Sequence, residues 1–322
     1  MAIITKTTPG NNLVHCVFLS LCVIMLKNRG RNSVTKYIIV GAITVMYVFF
    51  AYLLIRDLWK NRSSIKEEPG SLKLLAPVAP AVLFLATLGV SDIVVNTLFY
   101  NKCSLVDGKR FPGSLIVPGA LPLGVVAIAY LINSSVDLKV VLTVAICQSL
   151  GAAFGVRLVA GMKGTVIKKI IGAAMLLTAV FLVLRLIGVG TTGGSLTTFP
   201  LGKLIFCGVC ALLLGAFNML GMGIKAPMMS LLLSLGLASS EVLAVILTAC
   251  SFSAVSGGTQ FIKRGLYQRR LALVYSTFGF IGIALGFLFV TNLSPVILQI
   301  IMLIITVYTG FDLLKKRTDT KL

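Results

Sequence analysis

The chain of 322 residues has one histidine, His15, and only nine acidic residues against 29 Lys and Arg. With a single imidazole, neither a histidine-based catalytic set nor a histidine metal cluster can be assembled. No Gly-x-x-x-x-Gly-Lys-Ser/Thr phosphate loop occurs, which argues against ATP hydrolysis by this chain. The carboxylates Asp57, Glu67, Glu68, Asp107, Asp137, Asp312 and Asp319 fall in loops or at the ends of apolar runs, leaving Asp92 and Glu241 within them. The expectation is a protein that is not an enzyme and carries no cofactor or metal. Cysteines are present but sit almost entirely in apolar runs, and Cys207-x-x-Cys210 lies at i, i+3 on an apolar helix. That context fits packing, not redox or zinc chemistry.

What the sequence has in excess is apolar residues: 57% hydrophobic against 12% charged, with a mean hydropathy of +1.02. A helix needs about 20 apolar residues to cross a hydrocarbon layer of roughly 30 Å. Tyr37–Leu58, Gly113–Ile132, Leu138–Val159, Val166–Ile187, Glu241–Ile262, Leu271–Val290 and Pro295–Leu314 meet that length. Unbroken apolar character excludes membrane strands, so the fold class is an all-α polytopic membrane protein in the lipid bilayer. The segment Leu13–Leu26 is too short to span comfortably and lacks signal-peptide flanks, so an interfacial or tilted helix is expected there.

The net charge of +20 does not point to nucleic acid, because the basic residues cluster between apolar runs and form no stripe on a soluble face. The segments Arg56–Lys73, Lys102–Arg110, Arg157–Lys169, Lys263–Arg270 and Lys315–Lys321 hold 5, 3, 4, 4 and 4 basic residues. Asn133–Lys139, Arg185–Lys203 and Thr291–Pro295 hold 1, 2 and 0. By the positive-inside rule the first group is cytoplasmic, the C-terminus included, and the second faces outside a plasma membrane.

Two stretches read as copies of one unit. A shift of 132 residues lays Gly89 on Gly221, and nearly the same shift lays Gly151-Ala-Ala-Phe-Gly155 on Gly282-Ile-Ala-Leu-Gly286. The organisation is an N-terminal segment 1–71 with one membrane helix at 37–58, a first repeat 72–188, a connection 189–201, a second repeat 202–316 and a tail 317–322. Basic-rich loops of one copy correspond to basic-poor loops of the other, so the copies run in opposite directions. Each opens on an apolar segment broken in its middle, at Leu88-Gly89-Val90-Ser91-Asp92 and at Leu220-Gly221-Met222-Gly223-Ile224-Lys225-Ala226-Pro227. Paired breaks of this kind point to a transporter's binding site.

Asp92 and Lys225 follow the two breaks, and a charge at bilayer depth costs about 2.5–3.5 kcal/mol on insertion scales. Lys225 either attracts an anion to the break or snorkels to the interface. Pro227 suits the first turn of a helix whose leading amides are free, and such a helix start favours anions. Candidate binding residues are Gly89, Ser91, Asp92, Gly221, Gly223 and Lys225, with Ser253, Ser256 and Gln260 from the polar helix after the second break. Asp92 and Lys225 are expected to approach each other across a gap that leaves room for substrate. Gly151, Gly155, Gly282 and Gly286 fit close helix packing.

The run Leu-Leu-Gly-Ala-Phe-Asn-Met-Leu-Gly-Met-Gly-Ile-Lys-Ala-Pro, with Ala238-Ser-Ser-Glu and Lys263-Arg-Gly-Leu-Tyr267, resembles the TauE/SafE family of sulfite exporters and sulfonate permeases. Phe111-Pro-Gly-Ser-Leu and Val136-Asp-Leu-Lys resemble its first-half landmarks. Family members often carry three or four glycines at each break, whereas this chain has Gly-Val-Ser-Asp and a lysine. The resemblance implies a secondary transporter moving a small sulfur-containing anion such as sulfite, thiosulfate or an organosulfonate by alternating access. A channel, a membrane scaffold and a lipid-modifying enzyme are the rival readings. Coupling to H+ or Na+ and association into a homo-oligomer stay open.

Overall fold

The computed structural model describes residues 34–88, 90–188, 194–289 and 295–315. The segment Leu13–Leu26, Gly89 and the tail 317–322 lie outside them. The described residues form twelve helices: α1 Val34–Lys60, α2 Arg62–Glu67, α3 Leu72–Thr87, α4 Asp92–Lys102, α5 Phe111–Asn133, α6 Leu138–Ala160, α7 Gly164–Leu186, α8 Leu201–Met219, α9 Lys225–Ser234, α10 Ser239–Arg264, α11 Arg269–Phe289 and α12 Pro295–Lys315. Among the described residues seven helices, α1, α5, α6, α7, α8, α10 and α11, are long and apolar enough to cross a membrane, so this is a multi-pass all-α membrane protein; α8 stands in that set where the sequence pointed to Pro295–Leu314.

The surface is built for lipid. On α8 the large apolar residues Ile205, Phe206, Val209 and Leu213 point outward, whereas Cys207, Gly208, Ala211 and Gly215 face the protein. Without a hydrophobic drive between helices in lipid, small residues that let backbones approach make the interfaces. The helix α5 is apolar around its whole circumference and carries no charge, the pattern of an enclosed helix. It is correspondingly buried along nearly its whole length, with α10 packed against it.

Hydrogen bonds between connections show which helix ends lie together. Asp57 at the end of α1 accepts from Tyr267 Oη at 2.6 Å and Arg269 Nε at 2.8 Å. Pro69 O accepts from Gln268 Nε2 at 2.9 Å, and Glu68 pairs with Arg110 at 3.6 Å. Gly108 abuts the backbone of Gly164, and Asn101 donates to Asp312 at 2.6 Å. These contacts gather the described parts of all five basic-rich segments at one end of the bundle. At the opposite end Asp137 N donates to Thr197 O at 2.9 Å, Lys203 Nζ to Leu235 O at 2.8 Å, and Ala238 N to Leu196 O at 2.9 Å. Glu241 belongs there too, accepting from the amides of Ser135 and Val136 at 2.8 and 3.0 Å. It ties a loop at the bundle's end and is not a charge at mid-depth.

The path of the chain follows. The segment α3–α4 enters from the basic end, breaks, and returns to it, because the start of α3 and the end of α4 are joined through Glu68 and Arg110. In the same way α8–α9 enters from the opposite end and returns there, held by Lys203 and Leu235. Three long helices follow each hairpin, α5–α7 and α10–α12, so the two copies are inverted in topology. Although α8 has 19 residues, enough for a crossing, it is the first arm of a re-entrant hairpin.

Packing repeats the same two-fold relation. A Cβ added at Gly151 on α6 would fall 1.8 Å from Leu212 O on α8, and one at Gly282 on α11 would fall 2.0 Å from Pro80 O on α3. These two contacts are the same contact once each residue is moved by its repeat shift. The glycines permit backbone-to-backbone approach at both sites, and larger residues would separate the helices.

Candidate functional site

Both hairpins turn by the same local device. In the first, Leu88 N and Val90 N both bond Leu85 O at 3.1 Å; in the second, Leu220 N and Met222 N bond Phe217 O at 3.0 and 3.3 Å. The donors and acceptor differ by 132 in each case. In the second hairpin the bond from Met222 N to Phe217 O, together with one from Gly221 N to Asn218 O at 3.0 Å, is the C-terminal cap whose penultimate donor is left-handed. Gly221 fills that place with φ +86°, a conformation costly for a residue with a Cβ. Gly89, its counterpart, is outside the described residues.

After each cap a new helix starts immediately, α4 at Asp92 and α9 at Lys225. They have 11 and 10 residues, or about 16 and 15 Å at 1.5 Å per residue. Since α4 runs to the basic end and α9 to the opposite one, their N-termini meet in the interior. Two positive dipole ends, each equivalent to roughly half a charge, converge there.

Lys225 Nζ lies 3.0 Å from Asp92 Oδ1 and donates to Val90 O at 3.2 Å, with the two side chains 14% and 7% exposed. The approach of the two charges is as expected, but the gap between them is not. They form a direct ion pair, because a carboxylate and an ammonium with little water around them stabilise each other most when in contact. Gly223 packs closely beside the pair: a Cβ there would fall 2.9 Å from Ser91 Oγ and 3.0 Å from Val94 Cγ2, so those side chains would have to shift to admit it.

A cavity of about 40 Å³ lies against the pair, enclosed by aliphatic residues of α5 and α10. Its polar wall is Ser91, Asp92, Asn218, Lys225, Cys250 and Ser251. Ser91 Oγ and Asn218 Oδ1 are buried without a protein partner. Asn218 Nδ2 donates to Ser253 Oγ at 3.4 Å, and Ser251 Oγ is hydrogen-bonded to Tyr47 of α1.

The polar helix after the second break is divided between two tasks. Ser253 accepts from Gln148 Nε2 at 3.1 Å, Ser256 donates to Ser149 O at 3.1 Å, and Gln260 donates to Ala153 O at 3.2 Å. These three share the stripe of α10 that faces α6, so Ser256 and Gln260 bind helix to helix and Ser253 stands one layer behind the cavity. The stripe Leu247, Cys250, Ser251, Ala254 faces the cavity. The i, i+3, i+4, i+7 spacing separates the stripes, although only packing tells which faces inward. Asn218 was legible as a lone amide in the last turn before the second break; Tyr47 carries no sequence signal, lying about 200 residues from its partner.

Comparison with known proteins returns no matching family model, no matching curated protein and no matching solved structure.

Proposed function

We propose that the chain is a secondary transporter of a small inorganic anion, with the basic end facing the cytoplasm. The observation that carries this reading is the meeting of two half-helix N-termini from oppositely inserted hairpins around a lysine and a small, partly polar cavity. Free amides at helix starts, the Lys225 ammonium and the unpartnered Ser91 hydroxyl all favour negative charge at one point. A site at the interface of inverted repeats is what alternating access by rocking one repeat against the other requires.

The size of the cavity narrows the cargo. A volume of 40 Å³ corresponds to about three water molecules at roughly 10–15 Å³ each. That suits a sulfite-sized anion and is too small for an arylsulfonate without enlargement. Sulfite and thiosulfate are therefore the first cargo to test, in agreement with the resemblance to TauE/SafE proteins. The basic segments gathered at one end support a cytoplasmic C-terminus.

The test is thermal stabilisation of the purified protein by sulfite, thiosulfate, nitrate and taurine. A site ligand stabilises by mass action, and Lys225→Met, which keeps the apolar stem, should lose the effect while Lys225→Arg keeps part of it. Unchanged stabilisation of a folded Lys225→Met protein would remove the lysine from the site.

A further inference from the structure

We propose that anion binding at this site takes up one proton, held by Asp92, so that anion and proton move together. The inference rests on the anion reading above. Its starting point is that the cation facing the cavity is already engaged: Lys225 Nζ lies 3.0 Å from Asp92 Oδ1. Among the described residues lining the cavity these two are the charged ones.

An anion that reaches Lys225 must therefore sit close to the Asp92 carboxylate. In a site largely closed to water, two like charges disfavour each other strongly. Protonation of Asp92 removes that repulsion and releases Lys225 for the anion, while the new carboxyl O–H can donate to the anion or to a backbone carbonyl. One proton and one anion enter, no bond other than the O–H forms, and Lys225 stays charged throughout. The 3.0 Å contact also favours a proton over a metal cation. A metal ion at Asp92 would have to displace the ammonium, whereas a proton adds to the carboxylate where it stands.

The other ionisable groups near Asp92 are uncharged or stand away from the cavity. Cys250 of α10, Tyr275 of α11 and Tyr100 of α4 are within electrostatic range of it, and thiols and phenols are uncharged near neutrality. From α5 the backbone at Gly119 approaches, where a Cβ would lie 3.5 Å from Asp92 Oδ2. Tyr130 of the same helix is bonded to Thr87 O at 3.3 Å. The charged residues of α3 and α8, Lys73 and Lys203, stand at the outer starts of those helices. Asp312 and Tyr308 of α12 face Asn101 and Lys102 at the basic end.

The experiment is titration calorimetry of the purified full chain with bromide and with thiosulfate, neither of which changes protonation between about pH 5 and pH 8. Runs in two buffers of different ionisation enthalpy give the number of protons taken up. The expected result is one proton per anion, with affinity falling up to about tenfold per pH unit as pH rises. Asp92→Asn should bind the same anions without proton uptake and with an affinity nearly flat in pH. Binding by the wild type with no proton uptake overturns the coupling and leaves the anion reading standing. The wild-type pH slope persisting in Asp92→Asn places the proton elsewhere and also overturns it. Absence of binding in both folded proteins removes the anion reading and the coupling together. If Asp92→Asn does not fold, the wild-type stoichiometry decides alone.

Discussion

Removal of one partner of the central ion pair gives the sharpest test of the packing argument. Lys225 and Asp92 are in contact at 3.0 Å with side chains 14% and 7% exposed, so little solvent screens them. At an effective dielectric constant of about 20 the gross attraction is about 5–6 kcal/mol. Most of it offsets the loss of hydration that both groups suffer on burial. Lys225→Met leaves Asp92 buried and uncompensated, and should destabilise by about 3–5 kcal/mol. Asp92→Leu should cost a similar amount by stranding the ammonium. The double variant Lys225→Met/Asp92→Leu removes both charges and should recover most of the loss. Equilibrium unfolding of all four proteins in mixed micelles supplies the cycle, with the coupling energy as the readout. Additive single effects, with a double variant as unstable as their sum, would refute the statement that these side chains stabilise each other.

Gly223→Ala should lower anion affinity and cost about 1–3 kcal/mol by overpacking, since the new methyl meets Ser91 Oγ at 2.9 Å; ligand-induced melting shifts check both. Gly151→Ala should destabilise more than Ala153→Gly, because its Cβ would lie 1.8 Å from Leu212 O and the helices must part; thermal unfolding ranks the two. In a chain with its own cysteines replaced, Ser195→Cys should react with an impermeant reagent on intact cells and Arg264→Cys only after permeabilisation, if the basic end is cytoplasmic. Asp137 caps α6, and the amide of Lys139 holds its carboxyl below the usual carboxylate range. Its contribution is therefore present above the ordinary carboxylate value and lost as pH falls through the lower folded one. Asp137→Ala should cost about 1 kcal/mol at neutral pH, and its melting difference from wild type should shrink below about pH 4.

The membrane class and the two-fold repeat with its opposed directions were legible in the order of the amino acids. Those properties are written in composition, in run length and in where lysine and arginine cluster, which depend on the solvent around the chain and not on how the helices pack. The sequence also placed the two breaks, one of them on Gly221, where a left-handed cap calls for glycine. Helix length misleads at Leu201–Met219, which is long enough to cross yet turns back, since the cap at Gly221 and the contact of Lys203 with Leu235 O close a hairpin. Only the tertiary structure joined Asp92 to Lys225 in direct contact, as two residues 133 apart carry no mutual distance until two hairpins meet. It also decided which stripe of α10 looks into the cavity, bringing Asn218 and Ser251 to the site and turning Ser256 and Gln260 toward α6. A helical period fixes the angle between two side chains, but the direction either of them faces is set by the helices packed around it.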